Sequence, residues 1–197
     1  MQKIAFVDID TQFDFMKRRG DLYVKGAESI ISNLKKLTEF ANKYKINIIS
    51  TVDAHSPRDP EFKMFPDHCV KGRPGQKKIT ETLIKNRIHV NLKKRPQKNL
   101  SSLLDRYRQI ILEKKTIDVF LSPNIATIMK SIDTAFVYGV ATDYCVKTVC
   151  LGLLKLNKKV FIVVDAIKAI SDKEGKIVLK ALVKKGAKLI KTKTLIN

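Results

Sequence analysis

Short, mostly apolar runs recur along the chain: Ile4 to Ile9, Ile46 to Val52, Gln109 to Glu113, Thr134 to Val140, Val160 to Val164 and Ala187 to Ile190. Each has the length of a strand, and their continuous apolar character suits strands covered on both faces. Between them the apolar spacing changes to three and four. Ile30, Ile31, Leu34, Leu37 and Phe40 share one face of a helix predicted from Gly26 to about Tyr44. Val146, Val149, Cys150, Leu153 and Leu154 do the same for a helix running to about Leu156. Further helices are predicted over Pro123–Ser131 and Lys173–Lys184, with a short one near Lys77–Asn86. The segment Ile88 to Tyr107 fits no single pattern, and Ile88–Leu92 reads equally as a strand or an extended connection. Regular alternation of strand and helix predicts an α/β fold of three layers. Its sheet is mostly parallel, with helices on both faces.

The polar residues that close these runs change the picture. In parallel α/β sheets, sites form at the carboxyl ends of the strands. Asp10, Asp53, His55, Lys114 and Cys145 all fall at such ends. Asp8 and Asp10 lie two apart and are expected on one face of the first strand. Ser56 to Gly75 is an irregular stretch punctuated by Pro57, Pro60, Pro66 and Pro74. Loops of this length inside a compact domain are usually functional.

Composition bounds the rest. The 197 residues, 44% of them apolar and without low-complexity tracts, read as one globular domain spanning 1–197. No apolar run reaches the roughly 20 residues of a membrane span. The first residues read as a strand rather than a leader, and three cysteines make a disulfide framework improbable, so a cytoplasmic setting is expected. The net charge of +20 invites a nucleic-acid or anionic-membrane reading. Its lysines, however, are scattered in pairs such as Lys35-Lys36 and Lys184-Lys185, with no interleaved aromatic platform. A solvated basic surface fits better than a specific polyanion site.

Cys145 stands where a strand passes into a helix, a position that favours a thiolate and supplies backbone N–H groups for an oxyanion. Position alone leaves it balanced between a nucleophile and a small buried core residue. Amide hydrolysis by a thiol also needs a proton acceptor and donor. Asp10 serves if burial raises its pKa, with Lys114 holding the carboxylate and offsetting the thiolate. Asp53-x-His55 is a spacing suited to a shared metal. His68 could supply a third ligand and Glu61 a fourth, a set suited to Zn²⁺, Fe²⁺ or Mn²⁺. His89 reads as structural or solvated.

Taken in order, Asp10-Thr11-Gln12-Phe13-Asp14-Phe15, Asp53-Ala54-His55, Phe65-Pro66-Asp67-His68-Cys69-Val70-Lys71-Gly72, Glu113-Lys114 ahead of Asp118-Val119-Phe120, and Gly139 to Val146 resemble the motifs of the isochorismatase-like cysteine hydrolases. Within that family they most resemble the nicotinamidases, over nearly the whole chain. The resemblance implies a six-stranded parallel sheet in a Rossmann-like arrangement. It implies a triad of Asp10, Lys114 and Cys145, an oxyanion hole from the backbone N–H groups of Ala141 and Cys145, and a non-proline cis peptide at Val140-Ala141. It further implies a divalent metal on Asp53, His55 and His68, and a ring pocket lined by Phe15, Phe65 and Tyr144. The expected reaction is conversion of nicotinamide to nicotinate and ammonia through a thioester. The alternatives are hydrolysis of another small amide or carbamoyl compound, or non-catalytic binding of a small molecule. A small-molecule amide partner and a homo-oligomeric state are expected, with no membrane or specific nucleic-acid partner. Where relatives often carry Trp, this chain has Ala54 and Phe65. Lys115 adjoins Lys114; the spacing to Phe120 favours Lys114.

Overall fold

A computed structural model describes residues 3–196. The strands are β1 (Ile4–Ile9), β2 (Asn47–Asp53), β3 (Arg87–Val90), β4 (Gln109–Lys114), β5 (Thr134–Val140), β6 (Lys159–Lys168) and β7 (Lys188–Ile190). They form one sheet in the order β3-β4-β2-β1-β5-β6-β7, with every pairing parallel. The helices are α1 (Phe13–Met16), α2 (Ile31–Lys43), α3 (Gln97–Ser101), α4 (Leu103–Arg106), α5 (Pro123–Lys130), α6 (Lys147–Lys155), α7 (Asp172–Lys184) and α8 (Thr192–Ile196).

The buried strands follow from their composition. β1 and β4 are buried almost end to end, and parallel strands covered on both faces tolerate such runs. α2 lays Leu34, Leu37 and Ala41 into the core, where all three are fully buried. Full burial of each leucine is worth about 1.5–3 kcal/mol against exposure. Phe6 of β1 stacks on Phe40 of α2 and meets Phe136 of β5 edge-on, which locks the helix against the centre of the sheet.

The sheet has seven strands rather than six. The additional strand is β3, the edge strand formed by the segment whose pattern was ambiguous. Only its last residue, Val90, is fully buried, so its periodic signal is weak. The expected helix over Lys77–Asn86 is not formed; only a 3₁₀ turn, Thr80–Thr82, occurs there. The backbone N–H of Ile79 instead donates to the Thr11 carbonyl, and Lys78 bridges antiparallel to Gln12. Tertiary pairing has taken the groups a helix would have used. The helix carrying Cys145 also begins differently, with a π turn over Thr142–Val146 before α6.

From β1 the sheet extends to β2, β4 and β3 on one side and to β5, β6 and β7 on the other, the chain crossing from the first side to the second between β4 and β5. That reversal makes a crevice at the carboxyl ends of the central strands, where α/β sheets place ligands.

Candidate active site

Asp10 follows β1, Asp53 and Lys114 end the paired strands β2 and β4, and Cys145 lies in the turn after β5. Lys114 is the centre of the group. Its side chain is 1% exposed, and its Nζ lies 2.9 Å from Asp10 Oδ2, 2.5 Å from Asp53 Oδ1 and 3.5 Å from Cys145 Sγ. A buried ammonium is costly unless paired, and two carboxylates meet that requirement here. Lys115 instead turns outward, 3.5 Å from Ser56 Oγ, with its side chain 44% exposed. Of the two lysines, Lys114 is the one that reaches Asp10 and Cys145.

Asp10 does not share a face with Asp8. Asp8 accepts from Ser50 Oγ and Asp10 from Thr51 Oγ1, and consecutive residues of β2 face opposite sides. The reason is local. Asp10 adopts φ +50°, a left-handed conformation that Asp tolerates better than most residues, and the strand's alternation ends there. Asp8 instead pairs on the other face with the buried Lys78, 2.7 Å away.

Burial sets the electrostatics. It raises the Asp10 pKa, offset in part by Lys114 and reinforced by Asp53. Burial also holds the Cys145 thiol well above the ordinary range, against the pull of Lys114. For Lys114 burial opposes the charge, but Asp10 and Asp53 outweigh it and lift its pKa well above the usual lysine value. Asp10 Oδ1 takes the Thr51 hydroxyl, whereas Oδ2, close to Lys114, has no aligned hydrogen bond. Lys114 Nζ thus lies within 3.5 Å of both the Cys145 sulfur and the Asp10 oxygen that lacks an aligned hydrogen bond. Cys150, by contrast, has its thiol pushed up to about 12 by burial and has no charged neighbour acting on it.

Asp53, His55 and His68 come together, each offering a ligand atom within 4.8 Å of the others, and all three are buried. This fits a metal ion with bonds of about 2.0–2.2 Å to each ligand. The chemistry of the donors fits as well. Neither ring nitrogen of His55 has a hydrogen-bond partner, although Nδ1 lies 3.4 Å from Asp59 Oδ2. Buried polar atoms seldom go unpaired without a reason. His68 directs Nδ1 to the Pro66 carbonyl at 2.8 Å, which leaves Nε2 for a ligand. Glu61 approaches only to 3.9 Å from His68 Nε2, and burial lifts its carboxyl pKa to about 7. It stands at the edge of the cluster rather than within it. His89 is half-exposed beside Glu113 and remote from this group.

A cavity joins the two clusters, with Cys145, Asp10, Asp53 and His68 among its walls. Phe15, Phe65 and Tyr144 line it, and Phe65 packs edge-on against Tyr144 with centroids 5.6 Å apart. Leu22, Val24, Ile117 and Ile170 complete the apolar wall. These four carry no signal in sequence, because each belongs to a loop whose path is set by packing. The Val140-Ala141 peptide is cis. The Ala141 carbonyl accepts from both Tyr144 and Val146 N–H groups, which curls the turn around Cys145. Gln12 is a further residue whose part the sequence did not show. Its side chain donates to the Asp53 carbonyl and accepts from the Asp53 N–H, so both backbone groups of that residue are held.

The isochorismatase domain model matches residues 4–194. The chain belongs to the isochorismatase family. It is 25% identical over 191 residues to the nicotinamidase of Acinetobacter baylyi, covering 84% of this chain and 81% of that protein. Its fold is similar to that of the pyrazinamidase of Pyrococcus horikoshii in complex with zinc, with a TM-score of 0.78 at 23% identity, covering 96% of this chain and 99% of the other. It is also similar in fold to the N-carbamoylsarcosine amidase of Thermoplasma acidophilum, with a TM-score of 0.75 at 24% identity over 98% and 97% of the two chains.

Proposed function

We propose that this isochorismatase-family hydrolase is a metal-containing cysteine amidohydrolase whose substrate is nicotinamide. The observation that supports this most is the position of Lys114. One buried ammonium touches a proton acceptor, a thiol and a carboxylate of the metal-ligand cluster at once. In this reading Asp10 Oδ2 takes the Cys145 proton, and Lys114 stabilises the thiolate as it forms. The thiolate adds to the carboxamide carbon, and the N–H groups of Ala141 and Cys145 receive the oxyanion. Asp10 returns the proton to the departing ammonia and then activates the water that releases nicotinate from the thioester. Asp53, His55 and His68 would hold a divalent metal, with Glu61 an optional fourth ligand; when bound, the ion supplies a Lewis-acidic position for the pyridine nitrogen.

The pocket's charge supports a neutral substrate. Asp10, Asp53 and Glu61 line it, and the nearby Lys114 ammonium is already shared by Asp10 and Asp53. A substrate carrying its own carboxylate would meet these groups without a free partner. Apolar walls from Phe15 and Phe65 suit a flat ring. Ammonia release from nicotinamide, benzamide and N-carbamoylsarcosine tests the reading. Nicotinamide should be turned over fastest, and benzamide, lacking the ring nitrogen, at least tenfold more slowly. Preference for the carbamoyl compound, or equal rates on both amides untouched by chelation, would overturn it.

A further inference from the structure

Two buried carboxylates outside the reacting set each tie separate loops to the site. Asp14, on α1, is 4% exposed. Its Oδ2 accepts from the Cys69 N–H at 2.7 Å, and its Oδ1 accepts from the Asp21 N–H at 3.2 Å. The first bond fixes the loop immediately after His68. The second fixes the segment that delivers Leu22 to the cavity wall. Cys69 itself sits at φ +45°, a conformation that side-chain-bearing residues adopt only when held. Gly75 packs so closely over the carboxylate that a Cβ there would lie 2.1 Å from either oxygen. Asp143, two residues before Cys145, is 6% exposed. Its Oδ1 accepts from the Ile170 N–H at 3.0 Å and its Oδ2 from the Ser171 N–H at 2.9 Å. This joins the cysteine turn to the loop before α7, which supplies Ile170 to the same cavity.

We infer that Asp14 and Asp143 are positioning residues acting on separate halves of the site, Asp14 on the metal-ligand half and Asp143 on the thiol half. Neither touches the other's loop, and neither is needed to move a proton. Each carboxylate uses both oxygens to receive backbone N–H groups, a pattern that charge strengthens and that an amide cannot reproduce. An asparagine keeps one acceptor and turns an NH₂ toward the second donor, so one bond of each pair is lost with almost no change in shape. Residues that orient metal ligands typically cost 10–100-fold in metal affinity when changed. A nucleophile displaced by about 1 Å can cost 10²-fold in rate.

This inference rests on the reading of Asp53, His55 and His68 as metal ligands, and its test separates the two. Zinc affinity of the purified protein is measured by competition with a chromogenic chelator. The rate of Cys145 alkylation by iodoacetamide is measured in the metal-free protein. Tight zinc binding by the wild type, lost in His55→Ala, establishes the metal reading independently; its absence refutes that reading, not the division of labour at Cys145. Asp14→Asn should weaken zinc binding 10–100-fold and change alkylation less than twofold. Asp143→Asn should leave zinc binding within twofold and shift the alkylation rate about tenfold or more, because thiolate fraction and access set that rate. Gly75→Ala, which displaces the Asp14 carboxylate without removing it, should reproduce the Asp14→Asn pattern. If each variant lowers both readouts together in step with melting temperature, or if neither variant moves its own readout, the inference is overturned.

Discussion

Asp10 carries the sharpest prediction at the level of single residues. Burial raises its pKa, and its proposed part requires the ionised form. Activity is therefore present above the raised value and is lost as pH falls through it. The acid limb of kcat/KM should lie clearly above the ordinary carboxylate value of 3.8. A limb at or below 3.8 would refute Asp10 as the base, and Asp10→Asn should abolish turnover. Cys145→Ala should also abolish turnover with the fold intact, while Cys150→Ser should keep measurable activity, because Cys150 is fully buried and does not line the cavity. Full activity in Cys145→Ala would remove the thiol mechanism altogether. Groups that act as a unit are strongly non-additive, so Asp10→Asn combined with Cys145→Ala should be no less active than either alone.

Among the elements, the junctions between strands and turns bear the most constraint. Gly139, next to last in β5, has φ +111°, and a Cβ there would meet the Ile9 carbonyl oxygen at 2.1 Å. Gly139→Ala should thus destabilise the fold by at least about 3 kcal/mol, combining backbone strain with overpacking. Chemical denaturation reads this directly, and a loss below about 1 kcal/mol would show that the β1–β5 contact is not rigid. Leu34→Ala in α2 should cost about 2–5 kcal/mol by leaving a cavity under the sheet. Because α2 lies far from the chemistry in sequence and supplies no wall of the cavity, kcat/KM at moderate temperature should change little. A comparable loss of activity would mean that the sheet transmits the defect to the site.

For the whole molecule, charge and metal binding make separate predictions. Among the described residues no helix is long and apolar enough to cross a membrane. The +20 charge should retain the protein on immobilised DNA at low salt in a sequence-independent way. Retention should vanish at moderate salt, and saturating DNA should leave amidase activity unchanged. A ligand held only by the folded state stabilises it by RT ln(1 + [L]/Kd), about 2.7 kcal/mol at a hundredfold excess over Kd. Zinc should accordingly raise the melting temperature of the wild type and not of His55→Ala. Histidine ligands must be neutral and carboxylates ionised to bind, so occupancy should fall as pH drops below about 6.

The alternation of apolar runs with periods of three and four determined the α/β class, and the polar residues closing those runs determined where a site would lie. Asp10, Asp53, His55, Lys114 and Cys145 were legible because a parallel sheet brings its carboxyl ends together whatever the details. Edge strand β3 was not, since a strand with one buried residue leaves no periodic trace. The 3₁₀ turns over 74–82 were hidden because their backbone groups pair with a distant segment near Thr11, and local propensity gives no account of such partners. The difference between Lys114 and Lys115 waited on where β4 ends: Lys114 is its last, buried residue, and Lys115 lies beyond it with an exposed side chain. The opposed faces of Asp8 and Asp10 were decided by a single left-handed residue. Asp14 and Asp143 stood in the motifs from the start, but nothing in a linear order says that a carboxylate will receive the N–H groups of loops 55 and 27 residues away. Residue types set which chemistry was available; long-range backbone pairing decided which atoms could perform it.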